Sequence, residues 1–283
     1  MKDNKIVWLA SYPKSGNTWF RAFLTALMHN EEQLDINHLK TNGIFSSRAI
    51  FEEFTDIDST LCYNSEIKNT LPEVYENYNL ITDKEYLFIK VHDAYGYNGL
   101  GMPFIPTIPT KCAIYFIRNP LDIVGSLAHH NGDTIENTID FLINDQAKMA
   151  EQKNNLNLNN QFPQLLGSWS THVKSWENSS IPFPVLFMRY EDMLNNTFEV
   201  FKNAIDFIGL NKSEEEIQIA INKTSFNILK EKENKGIFKE KNPKAANFFR
   251  NGIAGNGVNE LSKEQQRLVI KHHYLLMFKY KFL

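Results

Sequence analysis

Three clusters of residues have the types and spacing for chemistry on an anion. The first is the run Ser11, Tyr12, Pro13, Lys14, Ser15, Gly16, Asn17, Thr18, Trp19, where the apolar stretch Lys5–Leu9 meets a turn and then a helical pattern. A strand that passes through a glycine turn into a helix presents unpaired backbone N–H groups and the positive end of a helix dipole to one point. Lys14 adds a full charge there, and Ser15, Asn17 and Thr18 add short hydrogen-bond donors. The spacing is not that of a Walker A loop, because Lys14 precedes the only glycine of the turn. Read alone, the turn suits a phosphate, with an ordinary capped strand-to-helix turn as the plain alternative. The second cluster is Arg118, which follows the apolar stretch Cys112–Ile117, with Ser126 eight residues on. A guanidinium at the carboxyl edge of a strand lies where open α/β sheets bind ligands, and its planar fork matches a phosphate. A surface ion-pair partner is the competing reading. The third is Lys90 and His92 at the end of the stretch Tyr86–Val91, where a period of two puts both side chains on one side of a strand.

These clusters need a rigid scaffold. Apolar stretches rich in β-branched and aromatic residues at Lys5–Leu9, Tyr86–Val91, Cys112–Ile117 and Val185–Met188 read as buried strands. Helical spacing runs through Thr18–His29, Leu121–His129, Phe141–Ala150 and Leu165–Trp176, with Trp169, His172, Val173 and Trp176 forming one stripe. This alternation predicts an α/β fold whose central parallel sheet has helices on both faces. After Met188 the signal is helical: Phe198, Phe201, Ile205 and Ile208 form a stripe that Gly209 ends. Ser213 with Glu216, and Ser262 with Gln265, have capping-box spacing. The Asn-rich stretch Lys153–Asn160 reads as a surface loop, and the mixed-charge run Lys230–Lys241 as a solvated helix end and loop. With no repeat and no Pro- or Ser-rich linker, the chain reads as a single domain over 1–283, its core about 5–261 and a last helix about 262–280.

Composition bounds the function. The 283 residues are 42% hydrophobic and 22% charged, which is globular, and a formal net charge of -3 is no footprint for nucleic acid. The two cysteines, Cys62 and Cys112, make neither a disulfide framework nor a zinc cluster, and no metal site is evident. The apolar run near the N-terminus is too short for a secretory segment, and no stretch reaches the roughly 18 residues of a membrane span. A cytoplasmic enzyme fits these features.

The loop Tyr12–Trp19 resembles the 5′-phosphosulfate loop of the PAPS-dependent sulfotransferases, the cytosolic branch in particular, whose pattern is Tyr-Pro-Lys-Ser-Gly-Thr-Thr-Trp, with Asn17 in place of a threonine. Arg118–Ser126 resembles the same family's 3′-phosphate motif, Lys90-Val91-His92 its Lys-Thr-His element, and Tyr190–Met193 its Tyr-Glu-Asp-Met segment. Thr224, Ser225 and Phe226 are similar to its Thr-Ser-Phe nucleotide contact. Phe249–Gly257 resembles its Arg-Lys-Gly-x-x-Gly-Asp-Trp-Lys loop, with Arg250 and the glycines kept, Asn251 in place of lysine, and Asn256, Gly257 and Val258 in place of Asp-Trp-Lys.

The resemblance implies a sulfotransferase fold akin to P-loop kinases, with PAPS as donor and PAP as product. It implies His92 as catalytic base, with Lys14 and Lys90 on the leaving phosphate and the sulfuryl oxygens. Ser15, Gly16, Asn17 and Thr18 would hold the 5′ end; Trp19, Tyr190, Thr224, Ser225 and Phe226 the adenine; Arg118, Ser126, Arg250, Asn251 and Gly252 the 3′-phosphate, more weakly for the changes at 251 and 256–258. The acceptor is a small molecule, an alcohol, phenol, amine, lipid or sugar, framed by Glu31–Lys84, Asn131–Phe162 and Ile237–Asn247, where Phe45, Phe51, Phe54 and Tyr95 suit a flat or apolar compound. No counterpart of the family's C-terminal dimerisation motif is present, so no dimer follows. The competing readings are a P-loop nucleotide kinase and a catalytically inactive PAP-binding protein.

Overall fold

The computed structural model describes residues 4–29, 34–151, 159–236 and 238–283. In chain order the elements are β1 (Ile6–Ser11), α1 (Asn17–Met28), α2 (Arg48–Thr55), a single 3-10 turn (Ser59–Leu61), α3 (Asn64–Ile81), β2 (Leu87–Val91), β3 (Thr110–Ile117), α4 (Pro120–Asn131), α5 (Ile135–Ile143), β4 (Lys148–Met149), β5 (Gln164–Leu165) and α6 (Trp169–Trp176). They continue with β6 (Val185–Arg189), α7 (Tyr190–Asn195), α8 (Thr197–Ile208), α9 (Glu214–Lys223), α10 (Phe226–Asn234), α11 (Gly257–Glu260) and α12 (Lys263–Lys279). The four long strands form one sheet in the order β2-β1-β3-β6, a central parallel sheet flanked by helices, and β4 and β5 make a small antiparallel pair. Every residue of β1 is buried, the pattern of a strand covered on both faces. Its parallel register with β2 runs from Ile6 opposite Leu87 to Ala10 opposite Val91.

The chain divides into two compact units: Met1–Ala10, Asn42–Tyr115 and Asp145–Leu186 in the first; Ser11–Thr41, Phe116–Asn144 and Phe187–Leu283 in the second. In the first, Trp8 packs edge-on against Phe45 and Tyr75, and its Nε1 donates to the Thr110 hydroxyl at 2.8 Å. In the second, Phe23 and Phe201 lie 4.5 Å apart between ring centres, and Ala22, Leu34, Ile36, Leu229, Phe238 and Phe249 form a buried cluster. Helix ends follow local chemistry. Both expected capping boxes are present at the starts of α9 and α12, and Gly209 ends α8 at a φ of 82°.

Two helical expectations are corrected. Phe141–Ala150 is not one helix: α5 follows the N-cap Thr134, whose hydroxyl accepts from Asn137 N–H, and ends at Ile143. The backbone beyond is claimed from outside, since the Ala147 carbonyl accepts from both Leu166 and Gly167, and Lys148 pairs with Leu165. For the same reason Leu165 is strand, and α6 begins at Trp169, where the Ser168 hydroxyl accepts from Thr171 N–H at 3.1 Å. Of the Asn-rich stretch, residues 153–158 lie outside the described residues.

Candidate active site

The second unit holds the anion loop. After β1 the chain turns at Lys14, whose φ of 69° is left-handed for a lysine, and at Gly16, whose φ is 102°. A side chain at Gly16 would stand 2.8 Å from the Tyr190 ring, so glycine is demanded by both backbone and packing. Strain of this kind is characteristic of ligand loops. The Lys14 ammonium lies 3.9 Å from the centre of the Phe248 ring, and the Lys14 carbonyl accepts from Arg118 Nη1 at 3.0 Å. Arg118 sits 4.2 Å above the Tyr190 ring and also donates from Nη2 to the Ile253 carbonyl at 3.2 Å. The Ser15 hydroxyl is buried beside Lys14 and has no hydrogen-bond partner.

A second guanidinium completes the cationic patch. Arg250 donates from Nη1 to the Gly125 carbonyl at 2.9 Å and pairs through Nη2 with the Glu260 carboxylate. Partial burial and the nearby Arg118 charge lower its pKa. Two like charges held within electrostatic reach of one another favour an anion that answers both. Ser126 follows Gly125 on α4 and is half-buried. Asn251 is exposed, and Gly252, at a φ of 62°, leaves no room for a side chain against the Phe226 ring. The loop carrying Arg250 is pinned by Asp122, whose carboxylate accepts from Gly255 N–H at 2.8 Å and Gly257 N–H at 2.7 Å.

The remaining donor-side residues are placed as follows. Trp19 packs edge-on to Tyr190 and against Phe201, with its buried indole N–H without a partner. Phe226 opens α10, packs against the same cluster as Trp19, and is preceded by Ser225 at the N-cap. Asn17 donates to the Ser11 hydroxyl at 3.2 Å, Thr18 to the Glu240 carboxylate at 3.1 Å, and Thr224 to the Ala220 carbonyl at 2.8 Å, so these three hydroxyl or amide groups are engaged within the protein. Glu240 also pairs with Arg21 at 2.7 Å, and Glu233 is buried under the backbone N–H groups of Phe248 and Phe249. The mixed-charge run is therefore not simply solvated: its carboxylates tie the loop carrying Phe248 to α10 and Glu240 to α1. Only the pairing partners, absent from the linear pattern, could have shown this.

The first unit holds Lys90 and His92. Lys90 is half-buried on β2, with its backbone bonded to Gly43 and Phe45. His92 is buried one residue past β2, and its carbonyl accepts from His172 Nε2 at 2.9 Å. The next carbonyl, that of Asp93, accepts from the Trp176 indole at 3.1 Å. Leu165 N–H donates to the Asp93 carboxylate at 3.2 Å, and Ala94 N–H to the Leu165 carbonyl at 2.8 Å. His172, at first one histidine among several, and Asp93 are the residues that sequence reasoning missed here; the α6 stripe was the available signal for the first.

A parallel sheet whose first strand opens into a lysine-bearing anion loop, with paired arginines on the loops after β3 and α10, defines an α/β protein built to bind a phosphorylated nucleotide. The sulfotransferase domain model matches residues 4–274, and the chain belongs to that family as a PAPS-dependent sulfotransferase whose product nucleotide is PAP. Sulfotransferase 1B1 of Canis lupus familiaris is 25% identical over 266 residues, 91% of this chain and 78% of that protein. Sulfotransferase 1E1 of Cavia porcellus is 26% identical over 276 residues, 94% of this chain and 80% of that protein. Among solved structures, mouse sulfotransferase SULT7A1 complexed with PAP shares the fold with a TM-score of 0.60 at 20% identity, covering 97% of this chain and 85% of that one. Retinol dehydratase in complex with androsterone and PAP gives 0.62 at 19% identity, covering 96% and 80%. Among the described residues no helix is long and apolar enough to cross a membrane.

Proposed function

We propose that the chain sulfonates a hydroxyl or amine of a small-molecule acceptor, with His92 as the base that takes the acceptor's proton. PAPS supplies the sulfuryl group and leaves as PAP, carrying the electron pair of the broken S–O bond. Neutral imidazole near pH 7 accepts a hydroxyl proton as the oxygen becomes a nucleophile, which is the work assigned to His92. Lys14 meets negative charge developing at the bridging phosphate oxygen, and Lys90 steadies the sulfuryl oxygens. Arg118 and Arg250, with Ser126 and the backbone of Asn251 and Gly252, hold the 3′-phosphate; Ser15, Gly16, Asn17 and Thr18 the 5′ end; Trp19, Tyr190, Thr224, Ser225 and Phe226 the adenine. The observation that carries this assignment is the unpartnered buried Ser15 hydroxyl beside Lys14, itself bonded through its carbonyl to Arg118.

The same reading treats 1–283 as one catalytic domain in the cytoplasm, and both cysteines, Cys62 and Cys112, are free thiols. The test is PAP release from PAPS with pooled hydroxyl compounds, run beside calorimetric PAP binding. His92→Ala is expected to keep PAP affinity and lose turnover on the order of 10²-fold. Lys14→Ala is expected to lose turnover by about the same factor. Unchanged turnover in His92→Ala removes that residue from the mechanism.

A further inference from the structure

The last helix, α12, turns one face to the protein and the other to solvent. Gln266, Val269, His273, Leu276 and Met277 are buried within the second unit. On the opposite side Leu268, Tyr274, Leu275 and Phe278 are 38%, 52%, 74% and 68% exposed, and the Tyr274 and Phe278 rings stack at 6.3 Å. Arg267, Lys271 and Lys279 are exposed among them, and exposed Lys281 follows the helix. At roughly 100° per residue the helical ones share less than half of the circumference, so cations and large apolar groups interleave on one face. We propose that this face docks on an anionic membrane surface, with α12 lying in the plane of the interface. Docking of this kind goes beyond the sulfonation reading and does not depend on it.

Charge selects the partner. The chain has a formal net charge of -3, yet from Gln265 to Leu283 it carries Arg267, Lys271, Lys279 and Lys281 and no Asp or Glu. Acidic groups gather at the start of α12 instead, where Glu264 lies in the first turn and Glu136 accepts from Gln265 at 2.6 Å. A cationic face on an acidic protein is drawn to the negative potential of anionic lipid, by about fivefold in affinity for each basic residue near the surface. The apolar groups decide between lipid and a soluble polyanion. A polyanion gives Leu268, Leu275 and Phe278 nothing, whereas the acyl boundary of a bilayer takes them out of water. Lysine and tyrosine suit that boundary, each with an apolar body and a polar tip. A helix of 17 residues interrupted by cations lies on such a surface and does not span it. A second copy of the chain is disfavoured, since a two-fold axis would set the cationic face against itself.

Co-sedimentation of the full chain with vesicles tests this, using phosphatidylcholine alone and phosphatidylcholine with about 30% phosphatidylserine. The partition coefficient should be at least about tenfold higher on the anionic vesicles at about 0.1 M salt, and the excess should shrink at about 0.5 M. Replacing Arg267 and Lys271 together by Gln should remove most of that preference. The pair Leu275→Gln and Phe278→Gln should lower binding to anionic vesicles by about tenfold or more, because the apolar contribution is lost while the charge stays. Thermal unfolding midpoints close to the wild type confirm that these exposed changes leave the fold intact. Phe278→Trp gives a reading that removes nothing: its fluorescence should shift to the blue with anionic vesicles and stay unshifted with neutral ones. Failure to sediment with either vesicle overturns the proposal, as does equal binding to both. Binding that survives loss of Leu275 and Phe278 overturns it in favour of a soluble polyanion. A dimer in solution that the same pair of changes dissolves gives the face to a second copy of the chain and overturns it too. PAP release from PAPS without vesicles reports on the reaction separately, whichever way the face is used.

Discussion

His172 is completely buried on α6, and burial lowers its pKa to about 4, so the imidazole is neutral at any working pH. Its two nitrogens then have distinct roles: Nε2–H donates to the His92 carbonyl at 2.9 Å, and Nδ1 accepts from the Tyr115 hydroxyl at 2.7 Å. With the Trp176 indole on the next carbonyl, two N–H donors from one helix face fix the backbone of His92 and Asp93. That makes His172 a positioning residue rather than a proton carrier. Gln at 172 can place an amide N–H near the former Nε2, whereas Phe fills the ring volume and removes the hydrogen bonds to the His92 carbonyl and the Tyr115 hydroxyl, at about 1–3 kcal/mol each. The expectation is that His172→Gln keeps kcat within about threefold, while His172→Phe lowers kcat by about tenfold or more with PAP affinity unchanged. A purely structural role would instead reduce active protein in both variants without this split between kcat and PAP binding, which titration of active sites would reveal.

Elements do the corresponding work for the proposed 3′-phosphate site. The α4 helix begins with Asn119 capping Leu121 and Pro120 in the first turn, and its Asp122 holds the N–H groups of Gly255 and Gly257. The loop so anchored offers the Ile253 carbonyl to Arg118 and carries Arg250, which reaches back to the Gly125 carbonyl on α4. Removing the carboxylate in Asp122→Ala should therefore raise the PAP dissociation constant by about tenfold, with kcat at saturating PAPS changed far less; equal loss in both would place Asp122 elsewhere in the mechanism. The four long strands were legible because each is a short apolar run bounded by turn residues, and the glycine and serine signals marked the ends of α8, α9 and α12. The 141–150 stretch misled because its apolar periodicity says nothing about Leu166 and Gly167 bonding to Ala147, a claim made from across the chain. The α2 and α3 helices also passed unread, as α3 contains Pro72 and its register depends on Tyr75 reaching the Phe45 carbonyl at 2.8 Å. Of the proposed site, the lysine-bearing loop and the arginines offered for an anion were proposed from type and spacing alone. The carboxylates that brace them, Asp122, Glu233, Glu240 and Glu260, were not, since partners ten or more positions away in sequence leave no local trace.

For the molecule as a whole, two buried groups bend the pH dependence of stability in opposite directions. His172 has a folded pKa of about 4 against an ordinary 6.5, so the unfolded chain takes up its proton first and this contribution to stability falls as pH drops from 6.5 to 4. Asp93 has a folded pKa of about 7 against 3.8, so the folded chain keeps a proton that the unfolded chain has released, and stability falls as pH rises from about 4 to 7. Each displacement corresponds to a few kcal/mol in order of magnitude, so across the shared window the two slopes nearly cancel. Asparagine at position 93 preserves the oxygen that receives the Leu165 N–H and removes the titration. The stability of Asp93→Asn relative to the wild type should therefore be smallest near pH 4 and grow steadily to about pH 7, where it levels off. Taking the difference between the two proteins cancels every other titrating group, including the carboxylates of Asp35 and Glu216 that hydrogen bonds hold low. Denaturant unfolding at pH 4.5, 6 and 7.5 measures it directly. A difference that stays constant with pH would mean that Asp93 is ionised in the folded chain at no cost, and that the carboxylate is already answered by a charge inside the protein.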